Sequence, residues 1–200
     1  MIWWLRIRHV PAVAAGLLLC IALGAAADSV TLPVPVIIGG LSFDLPLPSL
    51  LPLLPVCLIL QGQGRADHMT KRVAVRSVGR WDAAFMALCV LASVAAGTAL
   101  SVGGAGQAAA AMARDFAGYL GLALILRWLV GERFASVATA VFPFFCVSFG
   151  LVFNRPRIWA WPLHSPSSVT GALQAALLLL IGAATLALPR PRLAPADTEE

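Results

Sequence analysis

The sequence predicts an all-α fold: a polytopic transmembrane bundle of about six spans. Three observations predict it. Hydrophobic residues make up 60% of the 200, and the mean hydropathy is +0.89. Charged residues are 12%, where a soluble domain carries roughly a quarter. The apolar residues also fall in blocks near the ~20 residues that a membrane helix needs. Together these leave no room for a sizeable soluble domain, and residues 1–188 read as one transmembrane domain.

Residues 1–9, "MIWWLRIRH", read as an amphipathic N-terminal helix, with Trp3 and Trp4 at an interface and Arg6 and Arg8 on the cytoplasmic side. The run 10–27 is the first span. A cleaved signal peptide ending near "AAAD" is the alternative, against which its length and the two tryptophans weigh. Residues 28–45 carry Pro33 and Pro35 and read as an exoplasmic loop, partly re-entrant. A second span, about 46–61, is short and kinked by Pro46, Pro48, Pro52 and Pro55. Irregular backbone at membrane depth has to face protein and not lipid.

Four further spans follow at 83–102, 108–130, 134–153 and 169–188, with "GGAG" at 103–106 between the first two of them. The last twelve residues, 189–200, "PRPRLAPADTEE", read as a disordered cytoplasmic tail.

Charge orients the bundle. With the N-terminus in the cytoplasm, 11 of the 14 basic residues fall on inside segments, and only Arg114, Arg155 and Arg157 fall outside. That asymmetry places both termini in the cytoplasm. Thirteen of the 14 are Arg and one is Lys71, which with the many alanines points to a GC-rich bacterial genome and a bacterial plasma membrane. The net charge of +5 is therefore read as topology signal and contact with membrane lipid. Nucleic acid is not an expected partner.

Three segments carry candidate functional residues. In "RADHMTKRVAVRSVGRWD", 65–82, Arg72, Arg76 and Arg80 recur every fourth residue and share one helical face. Ala74, Val75, Val78 and Trp81 gather opposite. A lipid-binding interfacial anchor and a docking helix for a cytoplasmic partner both fit that pattern. Arg114 and Asp115 stand near the outer end of the fourth span, where ionisable groups are costly and usually paired. Adjacent helical residues do not face each other, so their partners are expected on other spans. They are candidates for a pathway or gate. So are Trp159 and Trp161 in "NRPRIWAWPLHSPSS", 154–168, whose rings point to one side if the segment is extended. That segment is either an aromatic belt at the outer interface or a re-entrant cap over the bundle.

Catalytic signatures are missing. There is no GxxxxGK[ST], HExxH or GxSxG. Cys20, Cys57, Cys89 and Cys146 each sit in an apolar run without CxxC spacing and read as packing residues. His9, His68 and His164 lie far apart. No enzyme activity, cofactor or metal is expected. Gly118 and Gly121 read as small residues that let helices approach.

The layout resembles permease subunits of ABC-2-type transporters. The correspondence is carried by "MIWWLRIRH", "RADHMTKRVAVRSVGRWD" and "NRPRIWAWPLHSPSS" as the N-terminal helix, the cytoplasmic helix between spans two and three, and the re-entrant element between spans five and six. Patterns such as "RDFAGYLGLALI" and "WAWP" also look like those of short permease-like membrane proteins of actinobacteria. The resemblance spans nearly the whole chain at the level of topology. It implies a homodimer driven by an ATPase on a separate chain, docked on the 65–82 helix, and a lipophilic or peptidic substrate. The alternatives are a non-transporting membrane protein, such as an assembly, immunity or regulatory partner, and an ion- or proton-coupled carrier with Arg114 and Asp115 in its path.

Overall fold

Proline placement divides the first third of the chain into a ribbon and a broken helix. A computed structural model describes residues 10–26, 30–35, 42–64, 78–103, 107–152 and 155–188. The expected N-terminal helix at 1–9, most of the basic connection (65–77) and the tail at 189–200 lie outside these residues.

Helix α1 (Val10–Ala26) is followed by strands β1 (Thr31–Pro35) and β2 (Ser42–Pro46), which pair antiparallel. The described residues of the stretch expected as an exoplasmic loop, 28–45, thus form a ribbon. Its register explains how it accommodates three prolines. Pro33, Pro35 and Pro46 all fall in the alternate pairs Pro33↔Asp44, Pro35↔Ser42 and Thr31↔Pro46. Successive pairs of an antiparallel ladder alternate between bonded and non-bonded. Leu47 donates to the carbonyl of Val30 at 3.0 Å, which assigns the bonded role to the other set. The missing N–H groups therefore lie on the outer edges, where proline is tolerated.

The run expected as a kinked span folds as α2 (Leu47–Leu50) and α3 (Leu53–Gly64). Pro55 cannot donate to the carbonyl of Leu51, four residues back. The thiol of Cys20, on α1, donates to that carbonyl at 3.1 Å. Cys20 is thus buried both as packing and as a weak second donor to a carbonyl that Leu54 N–H also meets at 3.2 Å.

Helices α4 (Val78–Val102), α5 (Ala108–Val130), α6 (Glu132–Phe149) and α7 (Val169–Thr185) complete the bundle. Helix α5 is its axis and touches every other helix. Within the apolar stretches, 72% of α5 is buried, against 22% of α4. Glycine sets the closest crossings. A Cβ on Gly182 would stand 2.5 Å from the carbonyl oxygen of Gly121, and one on Gly97 2.7 Å from that of Ala109. These contacts let α7 and α4 lie backbone to backbone on α5, the usual means of helix association where lipid removes the hydrophobic drive.

Among the described residues the fold is all-α apart from two short ribbons. Three helical stretches, Leu47–Gly64, Trp81–Val102 and Ala108–Val130, are long and apolar enough to cross a membrane. Length and composition thus mark the chain as a membrane protein. The other three apolar helices, Val10–Gly24, Phe134–Phe149 and Val169–Thr185, are shorter. The runs expected at 134–153 and 169–188 end early as helix for local reasons. Gly150 begins a second ribbon, β3 (Leu151–Val152) with β4 (Arg155–Pro156). Past Thr185 the chain passes into a turn, with the Thr185 hydroxyl donating back to the Gly182 carbonyl at 2.6 Å.

Candidate functional site: a buried ion pair beneath the connection between α6 and α7

The connection from Gly150 to Ser168 folds back onto the bundle by its own local bonds. Arg157 N–H extends the ribbon ladder to the carbonyl of Gly150 at 2.7 Å. A turn closes with Ala160 N–H on the carbonyl of Arg157 at 2.9 Å. One 3-10 turn, Trp161–Leu163, follows. Ser168 then caps α7, its hydroxyl accepting from Gly171 N–H at 3.3 Å.

Because of that turn, the two tryptophans do not share a side. Trp159 is 38% exposed and its ring packs against Phe145, with centroids 5.7 Å apart. Trp161 is only 2% exposed. Its ring sits between α5 and α6, 4.9 Å from the ring of Tyr119 and 6.2 Å from that of Phe142. Gly118 provides the seat, since a Cβ there would come within 2.5 Å of Trp161 Cη2.

One turn earlier on the same face of α5 stands Arg114. Its Nε donates to Asp115 Oδ1 at 2.9 Å. The other two guanidinium nitrogens donate to the connection: Nη1 to the carbonyl of Ser165 at 2.9 Å and Nη2 to that of His164 at 3.3 Å. The expectation that each charge pairs with another span needs correcting. Asp115 pairs with its own neighbour, because the long arginine side chain can curl around the helix although the Cβ vectors diverge. What Arg114 gains from elsewhere is two backbone carbonyls. Helix α5 begins at Ala108, so the pair lies about two turns inside it. Its side chains are 7% and 0% exposed.

The result is a clamp. One guanidinium ties α5, the carboxylate and two successive carbonyls of the connection, and Trp161 fills the space below. The neutralising contact matters because an unpaired charge in such surroundings costs several kcal/mol. Not every polar atom is satisfied. Asp115 Oδ2, Tyr119 Oη, Trp161 Nε1 and His164 Nε2 are buried without a hydrogen-bond partner among the described residues. Asp115 and Tyr119 are four residues apart and so share a face of α5.

From the middle of α5 toward the start of α4, a groove of about 800 Å³ lies between α4 and α7, floored by Leu120 and Leu124 of α5. Met86, Val90 and Leu91 form one wall and Leu180 stands in the other. All twelve lining residues are Ala, Val, Leu or Met.

The predicted site residues therefore fall into separate places. Arg114, Asp115 and Trp161 come together, while Trp159 lies on the outer side of the same connection. Trp81 is 48% exposed near the start of α4, 16 residues before Gly97 and so about 24 Å along the helix from the clamp end. Arg80 belongs to the first turn of α4, and Arg72 and Arg76 lie outside the described residues. The sequence reading missed Tyr119, Phe142 and the two acceptor carbonyls. The only signal for them was the spacing Arg114, Gly118, Gly121, which repeats a helical face and marks where something must come close. Among the described residues, no group of three or more His, Cys, Asp or Glu is placed to hold a metal. No family model, no curated protein and no solved structure matches the chain.

Proposed function

We propose that the chain is the membrane-embedded permease subunit of an ABC-type transporter. It spans the plasma membrane of a bacterium six times, with both termini in the cytoplasm, and works as a homodimer. A separate ATPase supplies the energy and docks through Arg72, Arg76 and Arg80. The clamp of Arg114 and Asp115 and the seated Trp161 close the outer end of each bundle. The observation that carries the reading is the contrast between the two ends. One end is tied by charge and an aromatic plug, and a groove lined by apolar side chains opens from mid-bundle toward the other. That groove suits a lipophilic substrate drawn from the bilayer, since nothing in its lining would bind a hydrated ion. Helices α1, α6 and α7, at about 26 Å for 17 or 18 residues, span with slight bilayer thinning, which costs little.

A second reading is a non-transporting membrane protein that assembles with or regulates another. It is favoured by the mutual neutralisation of the two buried charges, which makes the clamp equally suited to a permanent brace. Purification of the full chain from its host in mild detergent separates the two. The permease reading predicts a stoichiometric nucleotide-binding partner, lost from the R72E/R76E/R80E triple variant. A clean preparation without such a partner contradicts it.

A further inference from the structure

Of the three arginines that oppose the charge bias, only Arg114 is used inside the bundle. Arg155 and Arg157 are both exposed on the connection. They stand two residues apart on backbone that is held in a ladder, by the pair Val152↔Arg155 and by the bond from Arg157 N–H to Gly150. Alternation along extended backbone sends both side chains to one face.

The turn that follows exposes Ile158 by 77% and half-exposes Trp159. Beside Trp159 an aromatic strip covers the last turns of α6, with Phe149 at the helix end and Phe145 one turn deeper. The Trp159 ring meets Phe145, and the ring of Phe145 lies 4.9 Å from that of Phe149. Both phenylalanines remain exposed, at 49% and 41%. Two guanidinium groups thus stand above an apolar aromatic track. Among residues whose side chains are described, no exposed carboxylate shares this end of the bundle.

We propose that this rim binds one anionic phospholipid. The phosphate lies between Arg155 and Arg157, and an acyl chain follows Phe149 and then Phe145, beside the Trp159 ring. Arginine suits this role because its planar fork binds phosphate oxygens in pairs, and tryptophan favours the headgroup boundary. The site gives a reason for placing two arginines against the positive-inside trend. Assigning it to the outer leaflet rests on the six-span orientation above. The lipid contact itself needs neither that orientation nor an ATPase.

The test uses the full-length protein in vesicles of equimolar phosphatidylglycerol and phosphatidylcholine, extracted and read by native mass spectrometry. One retained phosphatidylglycerol is expected, preferred over phosphatidylcholine by a factor on the order of 30, as two near-surface arginines give. The R155Q/R157Q variant should lose that preference while keeping its thermal midpoint, and R155K/R157K should regain part of it. Brominated phosphatidylglycerol should quench the emission that Trp159→Phe removes. Equal retention of both lipids by the native protein, an unchanged preference in R155Q/R157Q, or displacement of the lipid by soluble glycerol phosphate would each overturn the proposal. None of these outcomes bears on whether an ATPase copurifies, so the two readings fail separately.

Discussion

The ring of Trp161 lies directly over Gly118, so close that a single added methyl group would reach to within 2.5 Å of Cη2. A residue from the connection between α6 and α7 thereby occupies a place on α5 that a side chain of α5 would otherwise fill. Clamp, plug and glycine crossing then follow one another along α5, at Arg114, Gly118 and Gly121.

Gly118→Ala should therefore unseat Trp161. Overpacking of this kind costs about 1–3 kcal/mol, which should lower the thermal midpoint in mild detergent. Tryptophan emission should shift to longer wavelength as the indole meets solvent. In a Trp161→Phe background the same substitution should leave the emission unchanged, because the reporting ring is gone.

The clamp should respond unequally to loss of its two partners. Arg114→Gln strands a buried carboxylate and releases two carbonyls, so it should cost about 3–5 kcal/mol. Asp115→Asn leaves the guanidinium its bonds to Ser165 and His164 and should cost less. Replacing both with apolar residues, Arg114→Met with Asp115→Leu, should recover part of the loss, since no unpaired charge remains. A double-mutant cycle on the thermal midpoint measures the coupling. Equal losses in the two single variants would mean that the carbonyl contacts carry no weight.

Glycines at crossings should differ by what they meet. A Cβ at Gly121 would collide with the backbone of Leu178 and Leu179, which cannot yield without moving α7. One at Gly24 would meet the end of the Met112 side chain, which can turn aside. Gly121→Ala should thus destabilise the bundle more than Gly24→Ala, as read from thermal unfolding in detergent.

The sequence made the membrane class legible because apolar block length and charge asymmetry are summed over many residues. The apolar run at about 108–130 coincides with α5, a helix long and apolar enough to cross a membrane. The burial of Arg114 and Asp115 was legible only in part, because a helix beginning at Ala108 carries them inside while one beginning near Phe116 would leave them interfacial. Their pairing with each other did not follow, as side-chain reach is not encoded in periodicity. The ribbon at Thr31–Pro46 was hidden because three prolines argue against strand until the register shows them all on outer edges. The separate fates of Trp159 and Trp161 depended on one turn and one 3-10 step, whose local signal in "IWAWPL" is only a proline. The groove between α4, α5 and α7 depends on how three helices pack together, which no single segment specifies.

The most direct test of the account is the orientation of the clamped end. In a background lacking the four native cysteines, Ser165→Cys lies on the exposed side of the connection that Arg114 holds, and Ser77→Cys precedes α4. A membrane-impermeant thiol reagent added to intact cells should label position 165, and it should reach position 77 only after the cells are opened. The reverse pattern would contradict the six-span orientation. The outer closure and the cytoplasmic docking face would then fall with it.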